Sequence, residues 1–142
     1  MAATGSRPKR LTPAVLARWP LPKPGEDADK EDRGHVLIVA GSVEMPGAAL
    51  LAAGAALRAG AGKLTIAAPA GIAYGLAFSV PEARVVGLPQ ARSGALLARG
   101  GDSLAALAGH VRALVVGPGM QHERSIVGLV RAQMPLFSHA TV

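Results

Sequence analysis

The chain of 142 residues predicts an α/β domain, a mostly parallel sheet covered by helices on both faces, and three observations carry that expectation. A short apolar run, His35 to Ala40, stops abruptly at Gly41. An Ala- and Leu-rich helix of about three turns follows, and a second apolar run, Leu64 to Ala67, returns after it. The same order recurs later, with Val111 to Val116 leading into Gly117-Pro118-Gly119 and then a helix from Glu123 to Met134. A crossover of this length makes the joined strands parallel, with a right-handed connection.

Taken in order, residues 1 to 10 read as a disordered leader and 11 to 142 as one domain. Leu11 to Trp19 reads as a short helix with Thr12 as its cap and Pro13 at its first position, ended by Pro20, Pro22 and Pro24. Gly25 to Arg33 is a charged loop, either a solvated connection or a segment that brings Lys30 near a site. Val36, Leu37, Ile38 and Val39 suit a strand buried on both faces. Pro46 and Gly47 lead into a helix over Ala48 to Ala59, which Gly60 and Gly62 stop. Ile72 and Leu76 recur at helical spacing over Gly71 to Phe78, and Pro81 separates that helix from a third strand, Ala83 to Leu88. Pro89 to Gly101 reads as loop with an apolar turn at Leu96 and Leu97, followed by a short helix to Ala108. Ile126, Leu129 and Val130 share one face of the last helix, and Leu136 to Val142 reads as a strand just begun.

Half of the residues are hydrophobic but only 3% are aromatic, so the core must be packed with Ala, Val, Leu and Ile. Small side chains of this kind let helices approach a sheet closely. There is no cysteine, which excludes disulfides and thiolate metal sites and is compatible with a cytoplasmic location. The net charge of +6 is spread singly along the chain, apart from Arg7, Lys9 and Arg10. With two Phe, one Trp and one Tyr there is no stacking platform, so nucleic acid is not the expected partner. Arg58 and Lys63 interrupt the longest apolar stretch below the ~18 residues a membrane span requires. An anionic small molecule remains the expected partner.

In an open α/β sheet a ligand sits at the carboxyl ends of the strands, here the loops 41–47 and 117–119. Familiar signatures fail at defined positions. Gly62-Lys63 is followed by Leu64, which has no hydroxyl, and Leu57 stands where the first glycine is required, so there is no Walker loop; a dinucleotide fingerprint lacks its third glycine, where His122 stands. His122-Glu123 begins like a zinc-protease helix, but the second histidine position is Ile126, and His35, His110, His122 and His139 are scattered, so no metal site is expected. Ser42 lacks the surroundings of a nucleophile and reads as a loop hydroxyl for a polar ligand. Glu82 reads as a solvated strand end, and Arg58 as a cation favoured at a helix carboxyl terminus.

The ordered blocks Leu21-Pro22-x-Pro24, Asp29-Lys30-x-x-Arg33-Gly34-His35, Ala40-Gly41-Ser42, Met45-Pro46-Gly47-Ala48-Ala49, Ala55 to Gly62, Pro81-Glu82 and Gly117-Pro118-Gly119 resemble the ADP/ATP-dependent NAD(P)H-hydrate dehydratases over residues 21 to about 134. The resemblance implies a ribokinase-like three-layer α/β/α fold. It also implies a metabolite-repair reaction, dehydration of the S epimer of hydrated NADH or NADPH coupled to hydrolysis of ADP or ATP with Mg²⁺. Ala48 and Gly119 are then expected to contact the hydrated nucleotide, within a substrate-binding set of Ser42, Gly47, Ala48, Gly117 and Gly119, and Gly41 and Lys30 are expected to bind cofactor. The family's Thr-Pro-His-x-Gly-Glu segment and Gly-Asp motif, which carry the nucleotide site and the catalytic Asp, have no match here. The expectation is an N-terminal half, ribokinase-like but incomplete, with no catalytic residue of its own, inactive alone and prone to homo-oligomerise through its exposed edge. A vitamin-precursor kinase relative and a non-catalytic nucleotide-binding module stay open as alternatives.

Overall fold

The computed structural model describes residues 10–20, 24–25, 27–97 and 101–142; the expected leader, like Pro22, lies outside them apart from Arg10. A first short helix, α1 (Pro13–Ala17), is capped by Thr12, whose hydroxyl accepts the Val15 N–H. The domain proper follows as β1 (His35–Val39), α2 (Gly47–Arg58), β2 (Lys63–Pro69), α3 (Ala70–Ser79), β3 (Arg84–Leu88), α4 (Gly101–Ala108), β4 (Val111–Val116) and α5 (Glu123–Gln133). The sheet order is β3-β2-β1-β4 and every pairing is parallel. Thus β1 is central, with Leu37 opposite Thr65 on one side and Leu114 on the other.

Because side chains alternate along a strand, each face of the sheet collects its own core. Leu37, Val39, Ala67, Leu88 and Leu114 pack under α4 and α5 with Leu104, Leu107 and Leu129. Ile38, Ala40, Leu64, Ile66 and Ala68 pack under α2 and α3 with Ala49, Ala53 and Leu76. These are the three layers expected, and α2 lies close to the sheet because it presents alanine there.

The end of the chain departs from the expected strand. Pro135 cannot continue the α5 hydrogen-bond ladder, and Met134–Phe137 tighten into a 3-10 turn that places Phe137, 1% exposed, in the α4/α5 core. Burying that ring holds the chain off the sheet, so only Thr141 reaches β4, in a single parallel bridge to Ala113. The expected apolar turn after β3 is more ordered than a loop. Gln90 and Leu96 form an antiparallel bridge around Arg92-Ser93-Gly94, and Leu96 is buried in the core.

At the opposite, amino edge the charged loop 27–33 is clamped to the start of β2. The Gly34 carbonyl accepts both the Gly62 and Lys63 N–H groups, at 3.1 and 3.0 Å, and Lys63 pairs with Glu31. A Cβ on Gly62 would overlap the Lys30 carbonyl oxygen and meet the Arg33 Cβ at 2.8 Å. Backbone cannot yield as a flexible side chain does, so Gly62→Ala is expected to cost about 3 kcal/mol in denaturant unfolding. Gly54→Ala, at a helix position with open space around it, should be neutral or stabilising in the same measurement.

Candidate functional site

The two glycine-rich loops are joined by backbone bonds at the carboxyl edge. The Gly41 N–H donates to the Pro118 carbonyl at 2.8 Å, and the Gly117 N–H donates to the Val39 carbonyl at 3.1 Å. Both glycines have positive φ, +83° and +120°, a region closed to most side chains. Gly119 (φ +67°) comes so close to the first loop that a Cβ there would lie 2.5 Å from the Ala48 Cβ and 2.9 Å from the Met45 carbonyl oxygen. The expected residues Ala48 and Gly119 therefore touch one another. Ser42 is buried, and its hydroxyl accepts the Met45 N–H at 3.1 Å, so it shapes the turn into α2. Across the loops the Gln121 amide donates to the Glu44 carboxylate at 2.8 Å.

A third wall comes from the segment after β3, which sequence reasoning did not place at the site. Ser42, Glu44, Gln90, Arg92, Gln121 and His122 line a cleft of about 420 Å³ between the three loops. The Gln90 side-chain oxygen accepts the Gly71 N–H at 2.9 Å, at the start of α3, and Gly94 approaches Val43 closely. The polar run Gln90-Ala91-Arg92-Ser93-Gly94 between apolar segments is the signal that could have found it. His122 sits just before α5 in a left-handed conformation, φ 66°, which costs a side-chain-bearing residue about 1 kcal/mol.

Among the described residues the backbone N–H groups of Ser42, Val43, Glu44 and Gly119 have no hydrogen-bond acceptor. With the exposed Arg92 guanidinium they offer donors to an anion at a helix start. The Gly41 and Gly117 N–H groups are paired between the loops, and these two glycines hold the loops together. Among the described residues no three His, Asp or Glu side chains converge on one point.

Lys30 is not brought to this cleft. It lies beside Gly62 at the amino edge, in a larger cavity of about 820 Å³ lined also by His35, Lys63, Glu82, Arg84 and His110. Glu82 is exposed there, as a strand-end acid should be. His35 Nε2 is 2.8 Å from the Thr65 hydroxyl. Burial first, then Lys63, His110 and Arg84, hold the His35 pKa below the ordinary 6.5. The carboxyl edge is the better candidate despite its smaller volume, because the two glycine loops meet there at the start of α2 and carry unpaired N–H groups.

A sheet of parallel strands sandwiched between helices, with paired glycine loops at its carboxyl edge, defines a ribokinase-like three-layer protein. An Enterococcus faecalis ribokinase-like superfamily protein superposes with a TM-score of 0.66 at 20% identity, over 80% of this chain and 37% of that one. The family model described as NAD(P)H-hydrate dehydratase matches residues 36–135, and the chain belongs to that family. The ADP-dependent (S)-NAD(P)H-hydrate dehydratase of Xanthomonas campestris is 48% identical over 90% of this chain and 43% of its own length. The bifunctional NAD(P)H-hydrate repair enzyme of Moorella thermoacetica is 37% identical over 95% of this chain and 26% of its own. The ADP/ATP-dependent NAD(P)H-hydrate dehydratase of Bacillus subtilis, co-crystallised with ATP and Mg²⁺, matches with a TM-score of 0.61 at 29% identity, over 83% of this chain and 39% of that one. The chain thus spans less than half the length of each of these relatives.

Two expectations follow. Gly119→Ala combines left-handed strain with overlap against Ala48, so it should lower unfolding free energy by about 3 kcal/mol. Adding Ala48→Gly should recover only about 1 kcal/mol, because the Met45 carbonyl and the positive φ remain. For His35, the unfolded side chain takes up a proton near the ordinary 6.5 while the folded one, held lower, does not. The unfolded state then binds more protons, and stability falls as pH drops below that value; above it both are neutral and the contribution is complete. His35→Gln should unfold with a flatter pH dependence than the parent below that point, as read by urea titration at several pH values.

Proposed function

We propose that this chain forms a substrate wall of an NAD(P)H-hydrate dehydratase, acting in ADP-dependent dehydration of (S)-NADHX or (S)-NADPHX. The observation that supports it best is the meeting of Ala48 and Gly119, in the two loops that also carry the unpaired N–H groups of Ser42, Val43, Glu44 and Gly119. Those donors and Arg92 bind the phosphates of a dinucleotide, and the Ala48–Gly119 contact leaves a smooth wall for its hydrated nicotinamide ring. Gly47, at the first turn of α2, adds positive helix-end potential. Gly41 and Gly117 hold the two loops in register. ADP or ATP, bound with Mg²⁺, would supply the leaving-group activation. No catalytic acid or base is assigned within residues 1–142, and the chain alone binds without turning over.

The apolar Leu51, Tyr74 and Phe78, exposed on α2 and α3, provide surface for the self-association expected of this chain. No helix among the described residues is long and apolar enough to cross a membrane.

The test is amide NMR of the purified chain titrated with (S)-NADHX, with and without ADP and Mg²⁺, followed by absorbance at the NADH band. Shifts confined to residues 41–48, 90–94 and 117–122, without NADH appearing, are the expected result. Shifts centred on His35 and His110 would move the site to the amino edge, and NADH release by this chain alone would overturn the assignment of catalysis elsewhere.

A further inference from the structure

The amino ends of β1, β2 and β3 gather polar side chains on one side of the sheet. The register sets His35 opposite Lys63 and Thr65 opposite Arg84. Strand alternation puts all four on the face that carries Leu37, Ala67 and Val86 further along. The apolar core under α4 therefore gives way to the cavity of about 820 Å³, walled also by Lys30, by Ala106 and Leu107 at the end of α4, and by His110. A smaller cavity of about 180 Å³ shares His35, Lys63 and His110 and adds Arg112. Thr65, 1% exposed, is bonded to His35 and fixes the imidazole between the two.

Charge in these cavities does not balance. Lys30, Lys63, Arg84 and Arg112 stand against Glu31 and Glu82, four cations against two acids. Glu31 is taken by Lys63, and the Asp29 carboxylate turns back onto the Glu31 and Asp32 N–H groups. Among the described residues Lys30, Arg84 and Arg112 have no carboxylate partner. After burial, Lys63, His110 and Arg84 all disfavour a proton on His35, and only Glu31 favours one. Like charges gathered in this way repel one another until a counter-ion joins them.

We propose that the amino edge binds a phosphate dianion beside His35, as inorganic phosphate or as the phosphate of a monoester, held by Arg84 and His110. The Arg84 guanidinium offers a planar pair of donors that fits two phosphate oxygens, and Lys30 and Arg112 add charge from the larger and the smaller cavity. Leu64, Ala106 and Leu107 give an apolar side for the organic part of a monoester. The phosphodiester groups of a dinucleotide carry one charge each and gain less from so many cations. The site lies at the opposite edge of the sheet from loops 41–47 and 117–119, and it does not rest on the functional reading of those loops.

The experiment titrates the 142-residue chain with inorganic phosphate and with phenyl phosphate at constant ionic strength, following the histidine ring and backbone amide signals by NMR. Saturable shifts at His35, His110 and Arg84 are expected, with a Kd of ~1 mM or tighter. Because the bound anion offsets the cations around His35, its titration midpoint should move up. Arg84→Gln should weaken binding about tenfold, whereas Arg58→Gln, which removes the same charge from α2 on the other face of the sheet, should not. Tighter binding of phenyl phosphate identifies a monoester as the occupant, and equal binding identifies inorganic phosphate. Shifts that rise without saturating, equal weakening by the two variants, or shifts centred on residues 41–48 would each overturn the proposal. Adding (S)-NADHX to the phosphate-loaded chain should leave the His35 and His110 signals in place, and their return to the free positions would merge the two sites and overturn it. Phosphate binding here without any (S)-NADHX shift at the carboxyl edge would keep this site and count against the functional reading instead.

Discussion

Two backbone hydrogen bonds hold the candidate site together, Gly41 to Pro118 and Gly117 to Val39. They tie the loop that follows the central strand to the loop that follows its neighbour, so the two strand ends cannot drift apart. Each requires a positive φ at its donor, which is why glycine stands at both positions. The contact of Gly119 with Ala48 depends on that stitch, and the cleft depends on the contact. The wall of the site is thus built from main chain, with side chains contributing at its rim through Arg92, Gln121 and His122.

Most of the fold was legible because each element carries its own local signal. Val36 to Val39 could only be a doubly buried strand, and Thr12-Pro13 announced a helix start that the structure places there. Position along the chain also predicted that residues 41–48 and 117–119 would meet, since β1 and β4 both end at the same edge. What was not legible depended on packing at a distance. Nothing local in Leu136 to Val142 shows that burying Phe137 outweighs strand formation. Nothing in Lys30 shows that its carbonyl rests on Gly62 at the far edge of the sheet. The wall formed by Gln90 to Gly94 was hidden because polar turns look alike until the strand before them is placed beside its neighbours.

The two faces of the sheet are unequally finished. The α4/α5 face is closed by Phe137 and the turn that carries it, whereas the α2/α3 face ends in an open groove at Val115. Elsewhere the small aromatic content is matched by alanine in helices that lie close to the sheet, so dense packing is achieved without large rings.

The central position of β1 also sets the order in which the molecule can assemble. Val39 meets Ala67 on one side and Val116 on the other, and the second partner is more than twice as far along the chain. Closing that longer loop costs more chain entropy, so β1, β2 and β3 can associate while β4 is still searching. The cleft lies between the ends of β1 and β4, and it therefore cannot exist in any early, partly folded form. A formed cleft reports on the last strand to arrive, which makes it a late marker of folding and one of the first features lost when the edge opens.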